Sequence, residues 1–245
     1  VLREMLKVGG LGSRRLTFVS DFEKGIAKAI SDVFPQSVHQ GCLFHCHKAL
    51  NNECPKKGLS PYVRRFSTIR AWFDRLKAAF FLPHNLLPAS ELLRSPVRQG
   101  HVAYDACAHF LKYYKEEWMR RDPAMTCKFM KTRHRTSNLV EAFHRGMPSY
   151  FTTGAHPPLL EIVKYVWKLE NKEFSDCMYY MKNPGTVHEI RPKERGRRVK
   201  TKEPMLKFDS LLKSGVVISK SDIISYLDSM VPFCHRNSLP YLVTC

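Results

Sequence analysis

Leu16-Thr17-Phe18-Val19-Ser20-Asp21-Phe22-Glu23, with the run that follows it to Val33 and then Ser37-Val38-His39, decides the fold. Leu16 to Ser20 is short, β-branched and aromatic, and it ends at an aspartate, which reads as a buried strand. From Glu23 to Val33 the apolar residues Ile26, Ala27, Ala29, Ile30 and Val33 keep helical spacing, and Phe34-Pro35 stops the run. Ser37-Val38-His39 reads as a second strand and Cys42 to Asn52 as a second helix. The order β-α-β-α predicts an α/β core.

Downstream the pattern turns helical. Ser60-Pro61 offers a cap followed by proline in the first turn. Tyr62, Phe66, Ile69, Phe73, Leu76 and Phe80 then step by three or four residues, which predicts one long amphipathic helix. Further helices are expected at Ala89–Leu93, His101–Met119 and Leu159–Met181. In the last of these, Leu160, Val163, Trp167, Phe174, Met178 and Met181 share a face, and packing is the expected use of that stripe. After Pro184 the composition shifts. Arg191, Lys193, Arg195, Arg197, Arg198, Lys200 and Lys202 stand against a single acid, Glu194, a stretch expected to be an exposed basic linker. The remainder to Cys245 is expected to add short helices, with Ser221 capping Asp222–Met230.

Lys and Arg outnumber Asp and Glu by 40 to 22, a net charge of +18. So large a positive charge favours a polyanionic partner, because each neutralised phosphate releases condensed counterions. DNA is therefore the expected partner, with the basic run as a backbone clamp or a nuclear-import signal. The eight cysteines are scattered, no signal peptide opens the chain, and no apolar run has the length of a membrane span. Reduced thiols in the nucleus or cytosol fit that usage better than a disulfide scaffold. The chain opens on Val1 and enters a strand pattern early, so it reads as part of something longer.

Three stretches carry chemistry. Asp21 stands where the first strand runs out, the end at which α/β sheets collect ligands. A carboxylate there suits Mg²⁺ or Mn²⁺, although capping the next helix is the plainer use of an aspartate so placed. In Arg135-Thr136-Ser137-Asn138-Leu139-Val140-Glu141-Ala142-Phe143-His144, a cap at residues 136–138 would put Glu141 in a first helical turn and His144 one turn on. Gly41-Cys42-Leu43-Phe44-His45-Cys46-His47 packs four zinc-type ligands together, yet no second separated pair follows, so zinc is the weaker reading.

Taken in order, these stretches resemble the transposase domain of Mutator-like elements (MULE). The resemblance rests on Phe18-Val19-Ser20-Asp21-Phe22-Glu23, the helix to Phe34-Pro35, Gly41-Cys42-Leu43-Phe44-His45, and Arg135 to His144. It implies an RNase H-like fold and a DDE-type site that cuts and joins DNA with divalent ions. Carried over, Asp21 is the second catalytic acid and Glu141 the third, each a ligand for Mg²⁺ or Mn²⁺. Cys42 and His45 form the family's Cys-x-x-His pair, and Asn138 and His144 flank the third acid. The family's first aspartate has no counterpart here. Glu4, the one acid before Asp21, lies in Leu2–Lys7, which reads as the end of a helix. The expectation is a truncated RNase H-like core over 1–182 with a helical insertion at about 55–130, and a basic linker and short helical tail over 183–245. Such a chain is expected to be nuclear and, alone, catalytically incomplete. A DNA-binding protein without catalysis and a zinc-stabilised interaction module are the alternatives, and a homo-oligomer is compatible with each.

Overall fold

The computed structural model describes residues 16–131, 135, 150–151, 157–183 and 192–234. Strand β1 (Thr17–Ser20), helix α1 (Lys24–Val33), strand β2 (Val38–Gly41) and helix α2 (Leu43–Lys56) follow the order read from the sequence. The strands pair in parallel, with Thr17 beside Val38 and Ser20 beside Gly41. Phe34, just past α1, meets Phe18 of β1 with the rings tilted and 5.0 Å apart, which holds the end of α1 against the strands. Strand β1 is nevertheless half-buried, not buried as its apolar run suggested, for β2 is its only partner among the described residues.

Most of the described residues are helical, and the hydrophobic core lies in the helices instead of on the sheet. The expected long helix is two. Helix α3 (Ser60–Arg65) and helix α4 (Ser67–Ala78) are separated by Phe66, which is extended at φ −111° and ψ 117°. Arg70 holds this break: its Nε donates to the Val63 carbonyl at 3.1 Å and its Nη2 to the Arg64 carbonyl at 2.7 Å. Those carbonyls lose their helical partners where α3 stops, so the guanidinium replaces what the backbone cannot supply. The apolar stripe itself is real, since Ile69, Phe73, Leu76 and Phe80 are all buried.

Helix α5 (Tyr104–Glu117) brings Phe110 edge-on to Phe73 at 5.3 Å and to Trp72 at 6.1 Å. Such aromatic pairs add to the area that they bury. Ala89–Leu93 is not an α-helix. Pro88–Ser90 is one 3₁₀ turn, ended by Glu91 in the left-handed region at φ 56°. A short helix α6 (Pro123–Thr126) follows, capped by Asp122.

The carboxy-terminal segment departs most from the expectation. Its basic stretch is helical, within α8 (Pro192–Lys213), and it is followed by α9 (Lys220–Met230). Met205, Phe208, Ile223, Leu227 and Met230 are buried in the same core as α4 and α5. Tyr226 stacks on Phe208 at 4.2 Å and donates its hydroxyl to the Phe81 carbonyl at 2.8 Å. The cap of α9 is Ser219, not Ser221. Its side chain accepts from the Asp222 amide while the Asp222 carboxylate accepts from the Ser219 amide.

By contact density the chain forms two units, 1–137 with 197–245, and 138–196. The second unit contains helix α7 (Leu159–Lys182), as long as the sequence predicts. Its apolar stripe does not pack as expected: Leu160, Val163, Trp167, Phe174 and Met178 are exposed. The side chain of Met181 lies outside the described residues.

Candidate functional site at the carboxyl end of the sheet

Asp21 follows β1 directly, at the carboxyl end of both parallel strands. Its Oδ1 accepts from the Glu23 amide at 3.3 Å, the bond of a tight turn opening α1. The Ser20 hydroxyl donates to the Asp21 carbonyl at 2.8 Å and lies 2.8 Å from Nε2 of His39 on β2. A hydroxyl has one proton, and Ser20 spends it on the Asp21 carbonyl, so His39 must be the donor through Nε2. Burial, and then the nearby Lys128 charge, depress the His39 pKa and favour the neutral ring. A relay thus runs from β2 through Ser20 to the backbone that aims Asp21.

Phe22 anchors the same turn from the other side. Its ring meets Trp118 edge-on at 5.1 Å, and the Arg121 guanidinium lies over it at 4.9 Å. The ring presses on Gly41, where an added Cβ would fall closer than 3.0 Å to two ring carbons. Glycine is therefore required at 41 by this close approach, not by an unusual backbone angle. Sequence reading noted Gly41 as part of a motif, but its neighbour in space could not be seen.

The backbone at the end of β2 links three distant segments. The Cys42 amide donates to the Ser20 carbonyl at 2.6 Å, and the next amide, Leu43, donates to the carbonyl of Arg135 at 2.8 Å. Arg135 opens the Arg135–His144 stretch, and the structure seats it beside the strand ends. Asn138, Glu141 and His144 lie outside the described residues.

The Cys-His cluster divides its members among different tasks. Cys42 is fully buried just before α2, and its carbonyl accepts from the Cys46 amide. His45 is half-buried, with its ring edge-on to Phe44 at 5.5 Å. His47 is buried, and its Nε2 donates to the Lys77 carbonyl at 3.0 Å, which spends that nitrogen on structure. Burial pushes the Cys46 thiol far up and the Cys54 thiol up to about 12. Among the described residues, no group of three or more His, Cys, Asp or Glu side chains is placed to hold a metal ion.

Lys128 sits fully buried behind this cluster, a feature that the sequence did not flag. Its Nζ donates to the Met125 carbonyl at 2.9 Å. Desolvation lowers its pKa to about 8, partly offset by the Cys46 thiol.

Of the basic run, Arg195, Arg197, Lys200 and Lys202 are exposed on α8, and Arg198 is half-buried. Arg191 and the side chain of Lys193 lie outside the described residues. The helix is held from Thr201 on: Thr201 is buried with its hydroxyl on the Arg197 carbonyl at 2.7 Å, and Met205 and Phe208 enter the core. No helix among the described residues is long and apolar enough to cross a membrane.

The family model of the MULE transposase domain matches residues 2–49. The match takes in β1, α1, β2 and the first turns of α2, and with them Asp21, Cys42 and His45. Over that stretch the resemblance read from the motifs is shown, and a partial copy is consistent with it. No curated protein and no solved structure matches the chain.

Proposed function

We propose that this is a transposase-derived, DNA-handling domain with an RNase H-like ancestry, in which Asp21 and Glu141 are carboxylate ligands of a divalent ion. The observation that carries this reading is the seat of Asp21, at the carboxyl end of a parallel strand and inside the stretch matched by the family model. The Leu43–Arg135 hydrogen bond supports it. It seats Arg135, which opens the Arg135–His144 stretch, beside the strand end that carries Asp21. The Ser20–His39 relay and the Phe22 wedge would hold Asp21 still for such a task.

In the three-acid site that the resemblance implies, divalent ions activate the attacking oxygen and stabilise the leaving one. Two carboxylates would hold such an ion weakly, so this chain assayed alone is expected to bind metal and DNA without cutting. The same reading assigns it to the nucleus. Mn²⁺ titration of the full chain, followed by the signal of free Mn²⁺, tests it directly. Asp21→Asn and Glu141→Gln should each weaken binding at least tenfold, and unchanged affinity in either variant would remove the shared ion.

DNA binding without catalysis is favoured by a separate observation, the exposed cations Arg195, Arg197, Lys200 and Lys202 on a helix anchored in the core. On that reading affinity falls steeply with salt and is indifferent to Asp21→Asn.

A further inference from the structure

We infer that the bare face of α7 is a docking surface for a second copy of this chain. The helix is turned inward on one side, where Tyr165 is 8% exposed with its ring 4.9 Å from Tyr150 and 5.4 Å from Phe151. Leu160, Val163, Trp167, Phe174 and Met178 fall on the opposite side of the helix at 3.6 residues per turn. Trp167 and Phe174 are each 66% exposed there. A soluble surface rarely leaves so many large apolar groups together without a use for them.

Two observations select a second copy as the occupant. The first is charge. The chain carries +18, which drives copies apart, yet α7 holds four lysines against four acidic residues and is neutral. It is a place where two copies can meet without like-charge repulsion, and one that offers a polyanion nothing. The second is area. Leu159 and Val166, also exposed, extend the bare face to seven large apolar side chains. At roughly 100–250 Å² apiece when fully bare, they leave on the order of 600–800 Å² per copy, close to the ~800 Å² per partner of a stable interface. A helix of 24 residues is about 36 Å long, enough to lie along its own copy across a two-fold axis, where one patch serves both sides.

Sedimentation velocity and light scattering on the full chain over a wide concentration range test this. The expected mass is twice 28.4 kDa at micromolar concentration, and Trp167→Glu combined with Phe174→Glu should return it to 28.4 kDa with unchanged circular dichroism. The milder Trp167→Gln, expected to weaken the dimer at least tenfold, serves if the double variant does not fold. Val217→Glu, at a site 90% exposed in the other unit, should leave the dimer intact. A wild-type monomer at all concentrations, or a dimer indifferent to the α7 substitutions, would overturn the inference. So would a Trp167 emission that blue-shifts only when DNA or lipid vesicles are added, since the occupant would then be something else.

Discussion

Replacing Gly41 with alanine should act on the site through one identifiable collision. The new methyl falls closer than 3.0 Å to two carbons of the Phe22 ring. That ring has little room to retreat, being 5.1 Å from Trp118 and 4.9 Å beneath Arg121. Overpacking of this kind costs about 1–3 kcal/mol. Losing the edge-on aromatic contact adds about 0.5–1.5 kcal/mol. A total of about 2–4 kcal/mol corresponds to a fall in Tm of roughly 5–15 °C for a chain of this size. Urea unfolding followed by tryptophan fluorescence should show it. The discriminating step is a double-mutant cycle with Phe22→Leu, which removes the ring that is struck. In that background Gly41→Ala should cost under ~1 kcal/mol. An equal cost in both backgrounds would refute the reasoning, because the penalty would then arise in the backbone of β2 and not at Phe22. The same variant should weaken Mn²⁺ binding while leaving Asp21 itself in place.

Other perturbations follow from single groups. Lys128→Met removes a buried cation whose pKa is depressed to about 8 from 10.5, which amounts to a burial penalty of about 3 kcal/mol at neutral pH. The unfolded chain binds the extra proton between those values, so wild-type stability from this group rises as pH climbs from 8 toward 10.5. The variant should be the more stable at pH 7 with the gap closing by pH 10, and a gap independent of pH refutes this account of Lys128. His39 titrates below its usual 6.5, so the folded state resists its protonation, and acidification through 6.5 should cost stability until the folded-state value is passed. His39→Gln should flatten that part of the pH–stability curve, and an unchanged curve would show that the ring contributes nothing. Arg75 grips Asp228 with two bonds of 2.6 and 2.8 Å between α4 and α9, but the pair is open to solvent. A double-mutant cycle should therefore find under ~1 kcal/mol of coupling. Neutralising Arg195, Arg197, Lys200 and Lys202 together should lower the slope of log affinity for duplex DNA against log salt by up to about 0.9 per lost phosphate contact, and an unaltered slope would place the DNA elsewhere.

The sequence by itself determined the order β-α-β-α, the extents of α1 and α7, the presence of α5 inside a longer expected stretch, and the position of Asp21 at a strand end. These depend on local chemistry: β-branched runs, helical spacing, and Phe34-Pro35 as a stop. It also marked which face of each helix is apolar. It did not say what covers that face. The stripe on α4 is buried and the stripe on α7 is bare, although both have the same spacing, because cover comes from partners remote in the chain.

Only the tertiary structure decided the rest of the candidate site. Arg70 ends α3 by taking carbonyls that the apolar pattern would have left to a longer helix. Phe208 and Tyr226 close a core begun at α2, so a stretch read as a tail is part of the interior. At the sheet, Gly41 lies under Phe22, His39 donates to Ser20, and Arg135 accepts from Leu43. Each contact joins residues that no local window contains, and their geometry is fixed by packing, which composition and spacing do not encode.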